Sequence, residues 1–516
     1  MAAVWIAPDK STALLAAVLL LAGLLGAWLL AWAGRQRRTR VTVLGGVGLA
    51  ATALAAALAF YALGVGSLDS RGDGAAVNAN VLAAGLLVLL AIGVPGGLWA
   101  RTRLVATRRW EAWAVAGGWG VLWLAGALAL IVTGSRGAWA AALAAMLVAA
   151  MWAVQPWAQR RLRGAGAALD GALLLLAAVA VAGWLLLLRQ PAGQPLLAGD
   201  RVALWRDGLA LLSDAPFTGT GLHSTMMALS TYVYLLHVGY ISHVHNLFLA
   251  IAVEQGLIGL IAWGCLVLTA VGALVQARRR QIVPVGMQAA LLGALAALLV
   301  HGLVDAGLYA SRLSPLLFLP IGAAWAAGGT THGAGLEARS RRLIGALAPL
   351  AAVALLFAWP GSRAAWQTNL GAVTQTQAEL FLYTWPEWPI QDALRRSPAV
   401  DLAPAIARYQ AALALDPAQP AANRRLGQIA LSQGDRAQAQ RLLEVAYAGD
   451  PHHPATRLLL GELYALAGEP LRAAELWRSL DLRLGQLDLR RAWIAESGAP
   501  ADVAAFDAAV AALASG

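Results

Sequence analysis

Apolar stretches long enough to cross a ~30 Å hydrocarbon layer as helices recur along the first 360 residues of the chain. Residues 12–33, 41–64, 81–99, 112–132, 138–154, 171–188, 256–276, 284–304, 314–327 and 343–359 read as about ten spans, of which the ninth is short and carries a proline. With 59% hydrophobic and only 13% charged residues overall, the expected fold class is all-α: a polytopic helical membrane protein. The first run is too long, and its flanks are wrong, for a cleavable signal peptide.

The net charge of +11 would suit a nucleic-acid binder, but its distribution argues for topology instead. Arginines cluster at Arg35 to Arg40, Arg101 to Arg109, Arg160 to Arg163, Arg278 to Arg280 and Arg339 to Arg342, always an even number of spans apart. One orientation therefore puts every cluster in the cytoplasm. No nucleic acid is expected as a partner. The segments 66–80, 133–137, 189–246 and 305–313 and everything after residue 360 then face outward, as does the N-terminus. Cys265 is the single cysteine and lies mid-span, so no disulfide can form within the chain.

The outward segment ending at residue 246 carries the most specific pattern. His245-Asn246, nine residues, Gly256, two residues, Gly259 places a polar pair at the mouth of an apolar helix with Glu254 two turns deeper. A histidine at the boundary of water and hydrocarbon can exchange a proton near neutral pH. Other outward segments add Arg71-Gly-Asp-Gly74 with Asn78 and Asn80, and the tight turn Ser135-Arg136-Gly137. The long segment 189–246 adds Arg201 one turn before Trp205 on a helix lying along the membrane, then Pro216-Phe-Thr-Gly219-Thr-Gly221. An arginine pinned between helices at membrane depth needs an anion, and a diphosphate fits; snorkelling to the interface is the bland alternative. Asn80 reads equally as a helix N-cap or a substrate contact. Glu254 could orient the histidine or structure the junction before Gly256. His301 and Asp305, four apart, read either as a mutually satisfied pair or as functional groups. The Gly-x-Gly turn is weak evidence for phosphate binding.

These motifs together resemble the O-antigen ligase and O-antigen polymerase superfamily, whose members move glycans from undecaprenyl diphosphate to an acceptor outside the cytoplasmic membrane. The resemblance covers the R-x2-G…N-x-N segment, the S-R-G turn, the P-x-x-G-x-G turn and the H-N-x9-G-x2-G stretch. It implies an inverting, metal-independent transferase with His245, Arg201 and Arg136 catalytic, and with Arg71, Asn80, Trp205, Asn246 and Glu254 contacting substrate. Family members usually carry a few more spans and begin in the cytoplasm, so the resemblance also implies that N-terminal helices are missing here or that the chain starts late. No cofactor is expected. Four histidines, His223, His237, His243 and His245, crowd the outward segment, but no carboxylate or cysteine accompanies them at ligand spacing, so no metal is expected and His243 reads as a surface residue.

Past Pro360 the composition changes and a 34-residue period emerges. Asp416-Pro417 recurs at Asp450-Pro451, Gly427 at Gly461, Gly434 at Gly468, and Ala405, Ala439 and Ala473 hold one register. This is the tetratricopeptide period, with clear repeats over 402–435 and 436–469 and a third starting at Pro470, where Trp477 takes the place of Tyr409. A lead-in helix over 363–382 contains Trp366, Asn369 and Gly371. The domain division is thus 1–360 for the membrane transferase and 361–516 for an extracytoplasmic repeat domain, which either binds a partner protein or caps the membrane part. The expected partners are a lipid-linked glycan donor, a glycan, lipid or protein acceptor, and membrane lipid. Ligase, polymerase and protein O-oligosaccharyltransferase remain open, as does a non-enzymatic scaffold.

Overall fold

The computed structural model describes residues 2–65, 78–107, 109–161, 199–239, 241–329, 359–380, 390–480, 482 and 485–515. Among these residues the chain is helical, with no extended strand. The expected spans 171–188 and 343–359, and Arg71, fall outside them, apart from Trp359. The membrane part consists of α1 (Ala2–Ile6), α2 (Lys10–Ala33), α3 (Arg37–Val65), α4 (Ala79–Thr107), α5 (Trp110–Val132), α6 (Arg136–Arg161), α7 (Gly199–Asp214), α8 (Thr225–Leu229), α9 (Leu247–Arg279), α10 (Val285–Gly302) and α11 (Leu319–Gly328). Helices α2, α3, α4, α5, α6, α9 and α10 are long and apolar enough to cross a membrane, seven among the described residues. The short ninth stretch is a 3₁₀ turn, Ser314–Phe318, followed by ten residues of α11, and packs against α2 and α9.

The bundle is built around α4 and α10, which are mostly enclosed, whereas α2, α5, α6 and α9 turn leucines, valines and tryptophans outward, among them Leu21, Trp28, Leu128, Leu143 and Leu268. That is the distribution expected where the solvent is lipid. Without a hydrophobic drive between helices, close approach must come from small residues: a Cβ at Gly48 of α3 would lie 2.3 Å from the Gly96 nitrogen of α4.

Helix α9 is broken. Gly256 adopts φ 68° and ψ −176°, so residues Leu247 to Gln255 form a short half-helix leading into the long one. The break leaves backbone groups without helical partners, and the turn at residues 216–221 supplies them. Leu257 N–H donates to the Pro216 carbonyl at 2.8 Å, Thr220 N–H to Val253 at 2.8 Å and Gly221 N–H to Glu254 at 3.1 Å. The approach is close enough that a Cβ at Gly256 would sit 2.0 Å from the Phe217 carbonyl oxygen, and one at Gly219 2.5 Å from the Glu254 carbonyl carbon. The Gly-x-Gly turn therefore mates with the helix break; its glycines serve backbone contact rather than a phosphate. Gly259 leaves room for Gln255, which reaches the Tyr309 hydroxyl at 2.8 Å.

The remaining helices are α12 (Pro360–Glu379), α13 (Gln391–Arg396), α14 (Ala403–Leu415), α15 (Pro420–Ser432), α16 (Arg436–Gly449), α17 (Pro454–Leu466), α18 (Pro470–Arg478), α19 (Gln486–Ser497) and α20 (Pro500–Ala514). A glycine-to-large-residue contact recurs in each repeat: Gly427 of α15 against Leu443 of α16, and Gly461 of α17 against Trp477 of α18. Gly371 of α12 meets Tyr409 of α14 in the same way, so the lead-in helix is the first helix of a further repeat pair. The inserted α13 separates its two helices and hides the period. The repeats sit at the end of the bundle that carries α1, α7 and the 216–221 turn, where Gln377 donates to the Trp5 carbonyl at 2.9 Å.

Gly256→Ala is expected to destabilise the protein by about 3 kcal/mol or more, combining left-handed strain with overpacking, whereas Gly264→Ala, in open space on the same helix, is tolerated. Thermal unfolding in detergent, read by loss of the monodisperse species, checks the difference.

Candidate functional site

Three consecutive residues beyond α10 gather the motif residues. Asn246 caps α9, its Oδ1 accepting from Leu249 N–H at 3.0 Å, and its Nδ2 donates to the Leu303 carbonyl at 2.9 Å. Arg201 of α7 donates to the Val304 carbonyl at 2.8 Å. His245 Nδ1 lies 3.2 Å from Asp305 Oδ2. The Leu303-Val304-Asp305 segment thus ties together side chains from two separate parts of the chain.

The surroundings hold the imidazole in place. His245 has φ 47°, a left-handed conformation uncommon for a side-chain-bearing residue, and its carbonyl accepts from the Trp205 indole at 3.4 Å. Asp305 also accepts from Gly307 N–H at 2.6 Å. Burial alone would push the Asp305 carboxyl upward, but the hydrogen bonds from His245 and Gly307, with the nearby imidazoles of His301 and His243, hold it below the usual carboxylate value. The carboxylate is therefore ionised at neutral pH and can orient the ring through Nδ1 while leaving Nε2 for other partners.

Arg136 opens α6 and is exposed, and its neighbour Gly137 packs so tightly on Val304 that a Cβ would lie 2.8 Å from Val304 Cγ2. The arginine thus starts beside the same segment. Ser135 Oγ donates to Asn80 Oδ1 at 2.9 Å. Asn80 is not the N-cap: Asn78 caps α4, accepting from the Asn80 and Val81 N–H groups at 2.9 and 3.3 Å, which leaves the Asn80 side chain to the Ser135 turn.

Other expectations change. His243 is half-buried rather than a surface residue, its ring centroid 4.3 Å from that of His245. Burial, with the positive charge of His245, Arg201 and His223, pushes it down to about 4. Glu254, expected to contact substrate, is buried with both oxygens taken: Thr225 Oγ1 at 2.7 Å, His223 N–H at 2.9 Å and Tyr309 hydroxyl at 3.0 Å. It fastens the 221–225 segment to the broken helix. Trp205 is buried too, and its visible role is support of the His245 backbone. Asp305 pairs with His245, not with His301 one turn back, because α10 ends at Gly302 and the chain turns away. Beside His243 opens a cavity of ≈ 180 Å³ lined by Val81, His223, Met226, Ser242, Gly307 and Ala310.

The donor atoms of His243, His245 and Asp305 all lie within 4.8 Å of one another, the one grouping among the described residues that could take a metal ion. The carboxylate missing from the neighbourhood of the histidines in sequence thus arrives in space from sixty residues away. Against a cation stand the direct Nδ1 to Oδ2 hydrogen bond and the positive Arg201 close enough to depress His243.

The long apolar helices and the recurring helix pairs together define an integral membrane protein of helical type with an appended helical-repeat domain. Residues 119–264 match the family model described as O-Antigen ligase, and residues 430–492 match the one described as Tetratricopeptide repeat. The first match encompasses Arg136, Arg201, Trp205, His245, Asn246 and Glu254, and points to lipid-linked glycan transfer in general. No curated protein and no solved structure matches the chain.

His243 has a folded value of about 4 against its ordinary 6.5. Below pH 6.5 the unfolded chain takes up a proton that the folded chain refuses, so stability falls as pH drops towards 4. Thermal unfolding at pH 7.5 and pH 5 is expected to show this loss in the wild type and a smaller one in His243→Gln. Separately, prolonged treatment with a chelator is expected to leave transfer unchanged; a loss that a divalent cation restores would assign the three donors to a metal.

Proposed function

We propose that the chain transfers a glycan from undecaprenyl, or another polyprenyl, diphosphate to an acceptor hydroxyl at the outer face of the cytoplasmic membrane, in the manner of an O-antigen ligase. The observation that carries this reading is the His245–Asp305 pair sharing one three-residue segment with Arg201. The ligase match over 119–264 supports the class of donor. The orientation rests on the arginine clusters. Arg278, at the far end of α9 from His245, donates to the Trp152 carbonyl near the end of α6, opposite the proposed site.

In this mechanism His245 Nε2 accepts the proton of the acceptor hydroxyl while Asp305 steadies the imidazolium through Nδ1. The freed oxygen attacks the anomeric carbon, the bond from that carbon to the phosphate oxygen breaks, and its electron pair leaves with the polyprenyl diphosphate. A single displacement inverts the anomeric centre. The leaving group is anionic already and gains little from protonation; what it needs is fixed positive charge, assigned to Arg201 and Arg136, with Arg71 as a further contact. Asn80, held by Ser135 beside Arg136, and Asn246 complete the substrate surface, while Glu254 and Trp205 act from behind it. No metal enters the scheme. The acceptor is a lipid-linked core in the ligase form, another lipid-linked repeat in the polymerase form, or a protein hydroxyl.

His245→Ala is expected to lower transfer by about 10³-fold, Arg201→Ala by about 10²-fold or more, and Asp305→Asn by a smaller factor than His245→Ala, each with normal membrane insertion. Surface glycan in a complemented deletion strain, and turnover on purified lipid-linked donor, are the measurements. Full activity of both His245→Ala and Arg201→Ala would leave a non-enzymatic scaffold as the better account.

A further inference from the structure

The repeat domain carries a surface that repeat solenoids ordinarily offer to peptides, and here it is filled. In the second helices of the pairs, such as α16, a single stripe of Ala439, Leu443 and Ala446 is buried. The first helices are different: α15 is buried along nearly its whole length from Ala421 to Ser432, and α17 from Ala455 to Ala465. Their inner faces carry polar groups, and several of these are met by the segment that follows α7. Asn369 of α12 accepts from the Phe217 and Thr218 N–H groups at 3.0 and 3.2 Å and donates to Thr218 Oγ1 at 2.9 Å. Arg425 of α15 donates from Nε to Asp214 Oδ2 at 2.9 Å, and Arg424 pairs with the same carboxylate. The Arg425 guanidinium also lies 3.6 Å from the centroid of the Tyr232 ring, whose hydroxyl donates to Glu379 at 3.1 Å.

The chain of contacts continues inward. Glu379 takes two hydrogen bonds from Arg395, at 2.7 and 2.9 Å; Ser432 joins Arg395 to Asp392; Arg490 bridges Asp392 and Glu462. Asp214, Glu379, Asp392 and Glu462 face Arg395, Arg424, Arg425 and Arg490, so the buried network is balanced in charge. Leu235 packs against the repeat core from the same segment as Tyr232. Asn369, Arg424 and Arg425 would lose these partners if the segment left the groove, whereas Arg395 and Arg490 would keep Glu379, Asp392 and Glu462.

We infer that the inner face of the repeat domain takes as its ligand the chain's own segment from Asp214 to Leu235, and that this clasp in cis positions α7, and with it Arg201, against the Leu303-Val304-Asp305 segment. The link to α7 is direct: Asp214 is its last residue, and Tyr234 in the clasped segment donates to Asp207 at 2.7 Å. Asp214, Tyr232 and Arg425 are positioning residues and touch no substrate. The link to Arg201 rests on the transfer reading given above; occupancy of the groove does not.

The test uses the full chain in nanodiscs, with Asp214→Asn and Tyr232→Phe as variants and two readouts. Hydrogen exchange over Gly199–Asp214 is expected to speed up by about tenfold in Asp214→Asn, while α16 and α18 keep their protection. Turnover on polyprenyl-diphosphate glycan, counted per monodisperse folded protein because stranding Arg424 and Arg425 lowers the Tm of Asp214→Asn, is expected to fall about tenfold in kcat with KM little changed. Tyr232→Phe, which removes one hydroxyl, is expected to show the same pattern more weakly, and it serves alone if Asp214→Asn fails to fold. Unchanged exchange over Gly199–Asp214 in the folded variants overturns the clasp. Faster exchange with unchanged kcat overturns the positioning of Arg201. If the wild type transfers no glycan, the exchange readout still decides the clasp while the transfer reading falls.

Discussion

The hydrogen bond from Leu257 N–H to the Pro216 carbonyl is the contact on which the rest depends. An interrupted helix within a hydrocarbon layer strands N–H and carbonyl groups that no water can reach, and such a break survives only where protein supplies partners. The 216–221 turn supplies three of them at Gly256. The half-helix from Leu247 to Gln255 can therefore stand apart from the long helix and present its capped end, with His245 just before it, to the Leu303-Val304-Asp305 segment. If α9 ran unbroken, the N–H of Leu257 would belong to its own helix, and the turn would have nothing to fill.

Glu254 shows how the break and the site are coupled without touching the same ligand. Its side chain gathers the 223–225 backbone and hydroxyl together with the Tyr309 hydroxyl, so one buried acidic side chain fastens both the segment after the turn and the segment after α10. The latter carries Asp305. The position of the carboxylate behind His245 is thus set twice, by its own Gly307 hydrogen bond and by Tyr309 four residues on. Such doubly held groups suit a site that must present a ring in one orientation.

Much of this was legible in the sequence, and the failures have physical causes. Apolar length gave all seven long helices and the short proline-bearing one among the described residues, because lipid imposes length and composition directly. The 34-residue period gave the repeats but missed that α12 belongs to them, since α13 and its flanks intervene between Gly371 and Tyr409. The partner of His245 was not legible: Asp305 lies sixty residues on and shares a helical register with His301, so proximity in sequence favoured the wrong pair. The Gly-x-Gly turn was only weak evidence for a phosphate, because glycine signals close approach without saying to what. The answer was backbone of the same chain.

The buried charges of the repeat domain are better understood as a device for specificity than as a source of stability. Desolvating four carboxylates and four guanidiniums offsets much of what their attraction returns, and apolar residues of similar volume would hold two surfaces together at least as well. What apolar packing does not do is reject a neighbouring register, since a slipped hydrophobic face still finds hydrophobic contacts. A slipped charged face leaves an ion buried alone. The turn at 216–221 lies between the two regimes: the broken helix takes it mainly through backbone contacts around Gly256, while Asn369 grips Phe217 and Thr218, and Arg424 and Arg425 grip the preceding Asp214, through polar side chains. A segment seated by close backbone contact on one side and by matched charge on the other has one permitted position, and α7, which ends at Asp214, inherits it.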